Sequence, residues 1–555
     1  VENLVSLLDG SGNLMWSFSD SIFESASLNL SLTSTTTSES YLVSASLSNP
    51  DKKTLSSLVN DFYFSSQISI NEFPMARVRL MQSELDVCSA DIMIMGTIEN
   101  PYVSLNVKPS RLSFSGVPFY FNAGASLDDG VFYLNDSQIL FGNHKVSNIS
   151  GQFSLSNFVG KVNGVYDGSL SSEYNIHAPI ELAISSSITT EEKGFTGLKN
   201  ALAKGIPEYV IAELDAMLTG SLFDENQSIS LDIERYPGYI KLSSDDNLGI
   251  AGTLTNEGNI SVKLDGRMPL HAEIQGFINQ QQMNINAMNI YSDLSAFEHL
   301  LYFPYVALHG GLLRGNASLG GILADPEFSG DFIVQNLAIS CPDYVPEHIV
   351  GANVPITLRE NEIKIDNYLF DVDEGNVNLD LTLTMDRWKL DLLSLKIKTP
   401  KDTFIPALIN IPPVTIDGMS TCDLNINITM SSCDIVGKFY AQNVDIKLFE
   451  NNMIVPNSSK ESTMKFTLDI DVTTGQHVEI KINPLLRGLI EPGTNLKLKS
   501  DSIANEFKIK SDVKLRGGEV TYLNRNFYLR EGRIILDEDG ETFDPRLTVR
   551  AEIRE

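Results

Sequence analysis

The stretch that most restricts the fold lies near the C-terminus. From residue 506 to 515, Phe507, Ile509, Val513 and Leu515 alternate with Glu506, Lys508, Lys510, Asp512 and Lys514. Further on, Leu547, Val549, Ala551 and Ile553 alternate with Arg546, Thr548, Arg550, Glu552 and Arg554. Successive side chains on a strand point to opposite faces, so each segment reads as a strand with one apolar and one charged face. Gly517-Gly518, Asn524-Arg525-Asn526 and Asp539-Gly540 supply turn residues between them.

The same alternation runs through the chain. Leu28, Leu30 and Leu32 form one row, and Tyr41, Val43, Ala45 and Leu47 another, with a polar loop between them at 33–40. After Asn353 the rows follow almost without pause: Val377, Leu379, Leu381 and Leu383; Leu424, Ile426, Ile428 and Met430; Phe466, Leu468, Ile470 and Val472. Prolines sit at joints, where they take no place in a central strand. Two segments read as helices. In 196–217, Leu198, Leu202, Ile206, Val210 and Leu214 fall near helical spacing, and 292–301 opens on Ser292 as N-cap. A short helix is also expected at 51–60. Phrases recur: Gly96 to Pro101 compares with Gly321 to Pro326, and Gly330-Asp-Phe-Ile-Val-Gln-Asn336 with Gly437-Lys-Phe-Tyr-Ala-Gln-Asn443. In each, glycine opens a strand and asparagine lets the chain bend.

One-sided strands must hide their apolar face against a second sheet, helices or a non-protein ligand. The helices are too few. The expected fold is therefore mostly β: a long, continuous antiparallel meander curled into an elongated apolar groove, with one or two short helices. At about ten residues per strand and about 4.8 Å per strand, such a gutter would run on the order of 200 Å. Its expected lining is Phe332, Leu379, Leu381, Leu383, Ile426, Ile428, Phe439, Phe466, Leu468, Ile470, Phe507, Ile509, Val513, Leu515, Leu547, Val549 and Ile553. Ordinary core packing is the competing reading of the same residues.

The net charge of -30 disfavours nucleic acid and anionic lipid surfaces as partners. Cys88, Cys341, Cys422 and Cys433 show no metal-ligand spacing, and the placement of Cys422 and Cys433 about one predicted strand leaves a disulfide open. The seven histidines are scattered, and the acidic run 537–541 reads as a hairpin tip lacking the spaced ligands of a calcium loop. No catalytic group, metal or cofactor is expected. The useful surface is the apolar face.

The segment Gly517-Gly518-Glu-Val-Thr-Tyr522, then Phe527-Tyr-Leu-Arg-Glu-Gly532-Arg-Ile534, then Asp544-Pro545-Arg-Leu547, resembles the signature of the TamB C-terminal domain. The Gly, Asn and Pro phrases resemble repeats of TamB and other AsmA-like proteins. The likeness is specific over about the last 240 residues. It implies a periplasmic protein of a diderm bacterium, anchored to the inner membrane by a segment outside this chain. It further implies a β-groove carrying phospholipid acyl chains, and a partner among outer-membrane barrel assembly proteins of the TamA/BamA type; a scaffold for barrel assembly is the alternative. The expected division is 1–200 for the N-terminal groove, 201–310 for a segment with short helices, 311–500 for the repeats and 501–555 for the start of a TamB-type domain, truncated at Glu555.

Overall fold

The computed structural model describes residues 8–20, 22–51, 62–75, 86–97, 100–114, 117–154, 157–169, 175–186, 209–221, 225–267, 269–279, 281–299, 307–341, 345–411, 414–429, 431–448, 465–482, 484–501, 506–522, 525–538 and 546–553. These residues are almost entirely β, in two compact units. One unit comprises Val1–Met268, Glu273–Ile285 and Gly320–Pro326; the other comprises Pro269–Ala272, Asn286–Leu319 and Glu327–Glu555.

The first unit begins with β1 (Leu8–Ser19), β2 (Ile22–Ser34), β3 (Ser40–Ser48), β4 (Tyr63–Pro74), β5 (Val87–Gly96), β6 (Pro101–Phe114), β7 (Val117–Asp128) and β8 (Val131–Phe141). It continues with β9 (His144–Ser154), β10 (Gly160–Ser169), β11 (Asn175–Ser185), β12 (Val210–Leu218), β13 (Gln227–Tyr236), β14 (Tyr239–Ser244), β15 (Ile250–Thr255) and β16 (Asn259–Asp265). Each strand pairs antiparallel with the next, so the unit is a plain meander. The division then passes through β17 (Leu270–Ile278), β18 (Met283–Asp293), β19 (Ala307–Ile322) and β20 (Asp325–Cys341).

A line of bulges crosses β4 to β10. The register shifts at Ile70/Phe73, Val87/Ala90, Val107/Ser110, Asn122/Gly124, Leu134/Ser137 and Asn163/Val165, each opposite the next. Glu72, Asp136 and Asn148 take positive φ on this line. A bulge bends its strand and sharpens local twist. Seven strands bent at one line fold the sheet along it, which turns an alternating meander into a trough.

The second unit holds β21 (Val345–Arg359), β22 (Glu362–Val372), β23 (Gly375–Asp386), β24 (Lys389–Lys398), β25 (Ile405–Ile411), β26 (Val414–Thr429) and β27 (Ser432–Leu448). After them come β28 (Lys465–Thr474), β29 (Val478–Ile482), β30 (Leu486–Ile490), β31 (Asn495–Asp501), β32 (Glu506–Tyr522), β33 (Arg525–Glu538) and β34 (Arg546–Glu552). Here the expected antiparallel meander fails at one place: β28 and β29 both run parallel to β27. A parallel neighbour needs a crossover rather than a hairpin, and the alternation of faces is the same in either direction. The sheet is mixed.

The glycines of the repeated phrases do not open strands, since Gly330 and Gly437 lie inside β20 and β27, but the asparagines do bend the chain: Asn336 and Asn443 sit mid-strand at positive φ (51° and 53°). Asn443 N–H donates to the carbonyl of Gln476 at 3.0 Å. Across the ladder Gly418 comes so close that a Cβ would lie 2.4 Å from the carbonyl oxygen of Asn443. Asn443→Gly should be tolerated within a few tenths of a kcal/mol. Asn443→Val should lose about 1–2 kcal/mol of stability, because left-handed backbone crowds a β-branched side chain. Urea unfolding midpoints check the pair.

The helical readings are corrected. Val210–Leu218 is strand β12, not the end of a helix; 196–208 and, of the helix expected at 51–60, residues 52–60 lie outside the described residues. Apolar residues every four positions satisfy a period of two as well as one near 3.6, and Glu213 and Asp215 between them mark the strand. Among the described residues of 292–301 there is only a 3-10 turn, Leu294–His299, and Asp293 caps it, accepting from Ser295 N–H at 3.1 Å.

Candidate functional site: an apolar trough

Alternation places the apolar side chains of the first unit on one face, and the ladder aligns them. Leu30, Val43, Ile68, Ile92, Leu105 and Ala125 are direct partners in turn from β2 to β7. The row continues through Leu134, Gly151, Val162, Leu182, Leu214 and Leu231 to β13. A neighbouring row, Ala212, Ile233, Leu242, Gly252 and Val262, carries it to β16. Strands about 4.8 Å apart make the twelve-strand row about 50 Å long. No polar or charged residue interrupts it. Ala125 is buried and the other eleven are half-buried. These eleven keep part of their apolar surface in water.

The opposite face is ionic. Lys108 pairs with Asp91 at 3.1 Å, Lys241 with Glu234 at 3.0 Å, and Lys161 with Glu181. Hydrogen bonding from Ser69, aided by Lys108, holds the Asp91 carboxyl below the usual range. The hydrogen bond to Glu234 pushes the Tyr236 hydroxyl up to about 12. Exposed pairs of this kind contribute little stability; their consequence is a face that stays in water.

In the second unit the expected lining residues fall into three adjacent rows. One runs Leu383, Leu393, Ile428, Cys433, Phe466; the next Leu381, Leu395, Ile426, Ile435, Leu468; the third Leu379, Ile397, Leu424, Gly437, Ile470. Phe332, Leu383, Ile426 and Ile428 are half-buried. Leu379, Leu381 and Phe439 pack on a core of Val334, Val354, Ile365, Phe370, Val372 and their neighbours.

Beyond β26 the face closes. Twenty residues from β26 to β33, none more than 8% exposed, form a single core. β28 and β31 make one half of the bent sheet here, β29 and β30 the other. Both halves contribute: Ile470 and Leu498 from one, Ile480 and Ile490 from the other. Leu468, Ile470, Ile509, Val513 and Leu515 lie inside this core, with Phe466 packed on it, and present no surface to a ligand. Their packing is the reason: facing halves of one bent sheet can satisfy each other. Phe507 lies in β32, but its side chain is outside the described residues, as is the hairpin tip beyond Asp537. Leu547, Val549 and Ile553, on or just past β34, are exposed at 37%, 37% and 54%.

Sequence reasoning thus put the lining in the second unit and missed the row of the first. Leu28 to Leu32 and Tyr41 to Leu47 carried the signal. Following alternate positions onward through Ile68 and Ile92 finds it.

All four cysteines are free thiols. Cys422 faces Phe439 and Cys433 faces Ile428, so on β27 the two are out of register by 439 − 433 = 6 residues. That separation, about 20 Å, is beyond any disulfide. Burial pushes the Cys422 thiol up to about 11, and also raises Cys341 and Cys433. At pH 8 on the order of one Cys422 thiol in a thousand is ionised. A thiol-labelling assay in native buffer at that pH should leave Cys422 unmodified, and full denaturation should release all four. Rapid native labelling of Cys422 would contradict the packing of β26 on β27.

Compared with protein-family models and with curated proteins, the chain matches none of either.

Proposed function

We propose that this chain carries phospholipid along the apolar trough of its strands, acyl chains on the apolar row and headgroups in water at the open side. The observation that supports it is the row from Leu30 to Leu231: unbroken and, Ala125 apart, only half-buried, so that apolar surface stays in contact with solvent. Covering such a surface with hydrocarbon gains about 0.8 kcal/mol per buried CH2, with no chemistry required. A row without a deep pocket lets a chain slide rather than lodge. The resemblance of Gly517–Leu547 to the TamB C-terminal signature supports placing this transport in the periplasm, between an inner membrane reached through an anchor outside this chain and an outer membrane. The closed cores of the second unit, one from β20 to β26 and one from β26 to β33, leave the first unit as the carrying part.

Solvent extraction of the purified chain followed by mass spectrometry tests the reading. Phospholipid bound in at least equimolar amount is expected; a chain purified without detergent and free of lipid would overturn it.

A second reading, a scaffold for outer-membrane barrel assembly with a TamA/BamA-type partner, draws on β34. Among the described residues that strand pairs only with β33, and Leu547, Val549 and Ile553 stand exposed on or beside it. A free strand edge can add a strand from another chain. Site-specific crosslinks from Val549 to a barrel protein would favour it.

A further inference from the structure

The outward face, opposite the apolar rows, changes character at β1–β4. Elsewhere ion pairs stitch it, as between Lys161 and Glu181, Lys398 and Asp423, or Lys499 and Asp469. Across β1–β4, by contrast, Asn13, Asn29, Ser44 and Gln67 are direct partners in one transverse row. The rows on either side are serines, with Leu42 and Met15. A cleft of about 620 Å³ lies over this surface, and eight of its eleven lining residues are on the outward face. None of the eleven is ionisable, in a chain of net charge -30. Among the described residues, the side chains of Asn13, Asn29, Ser44 and Gln67 have no hydrogen-bond partner.

Those facts constrain a ligand. Each amide offers donors and an acceptor, each serine one donor and two lone pairs, and no full charge is present to be matched. A hydrocarbon chain would strip water from these groups without replacing their hydrogen bonds. An ionic ligand would find no counter-charge. A polyhydroxylated neutral ligand answers both. The amides and hydroxyls repeat at the strand spacing, about 4.8 Å, comparable with the length of one sugar ring in an extended glycan. The cleft is within the usual volume range for a small-ligand site. Leu42, 52% exposed, offers an apolar patch to the C–H face of a ring.

We propose that the β1–β4 cleft binds a neutral glycan strand laid across the β-strands, one sugar to each amide or hydroxyl of the Asn13–Asn29–Ser44–Gln67 row. The site is on the face opposite the apolar row, so it stands or falls separately from lipid carriage. Isothermal titration of the full chain with chitotetraose and with maltotetraose tests it. Saturable heat with at least one is expected, and Asn29→Asp with Gln67→Glu should weaken that binding about tenfold or more by replacing amide donors with carboxylates. Both changes are nearly isosteric and exposed, so the melting curve and lipid content should stay as in the native chain. If that double variant fails to fold, Asn29→Ala gives the same comparison with a smaller change. Absence of heat with both oligosaccharides at millimolar concentration, or equal affinity in native and variant chains, would overturn the assignment.

Discussion

Ile92→Asp and Leu105→Asp, each made singly, should reduce co-purified phospholipid about tenfold, a loss of ~1.4 kcal/mol in binding. The two side chains are direct partners inside the apolar row, away from its ends. Both are half-buried, so a carboxylate there keeps some water and the sheet can still form. An acyl chain passing over it cannot: it must either desolvate the charge or lift away from the floor, and both cost free energy. Leu381→Asp and Ile428→Arg, at half-buried positions of the second unit, should act in the same direction on transfer between vesicles. Changes on the ionic face, such as Glu181→Gln, should leave lipid content unaltered. The measurement is phospholipid per mole of protein after identical purification. Native lipid content in both Ile92→Asp and Leu105→Asp would remove the row from the path of the lipid.

The second large effect is on stability and separates carrying surface from core. Ile446 and Ile480 are fully buried direct partners on β27 and β29. Trimming either to alanine should cost about 2–5 kcal/mol, the usual range for a large aliphatic residue in a close-packed core. Ile92→Ala should cost about 1 kcal/mol or less, since its side chain is already partly in water and leaves no closed cavity. Urea unfolding followed by circular dichroism reads the difference as a shift in midpoint. Equal shifts for Ile480→Ala and Ile92→Ala would mean that the first unit's row is as tightly enclosed as the second unit's core, and the trough would be lost with that result.

Much of the fold was legible because a strand's period of two is written residue by residue. Phe507 to Leu515, Leu424 to Met430 and Phe466 to Val472 name their strands and their apolar face without reference to anything distant. The bends were legible too, at Asn336 and Asn443, because few residues other than glycine and asparagine sit comfortably at positive φ. The same logic failed at Val210–Leu218, where apolar residues at every fourth position fit two periods at once. It failed again at β28 and β29, since a strand's own sequence carries no mark of the direction in which its neighbour runs.

The sequence by itself determined that this chain is built of one-sided strands, which residues share the apolar side, and that the other side faces water. Only the tertiary structure decided what covers the apolar side. Ile68 and Ile480 look alike in sequence, each an aliphatic residue between polar neighbours on a strand. One lies on a half-open floor and the other in a sealed core. Burial depends on how closely the two halves of a bent sheet approach, and that distance is set by bulges and pairings far apart in the chain, which no local pattern records.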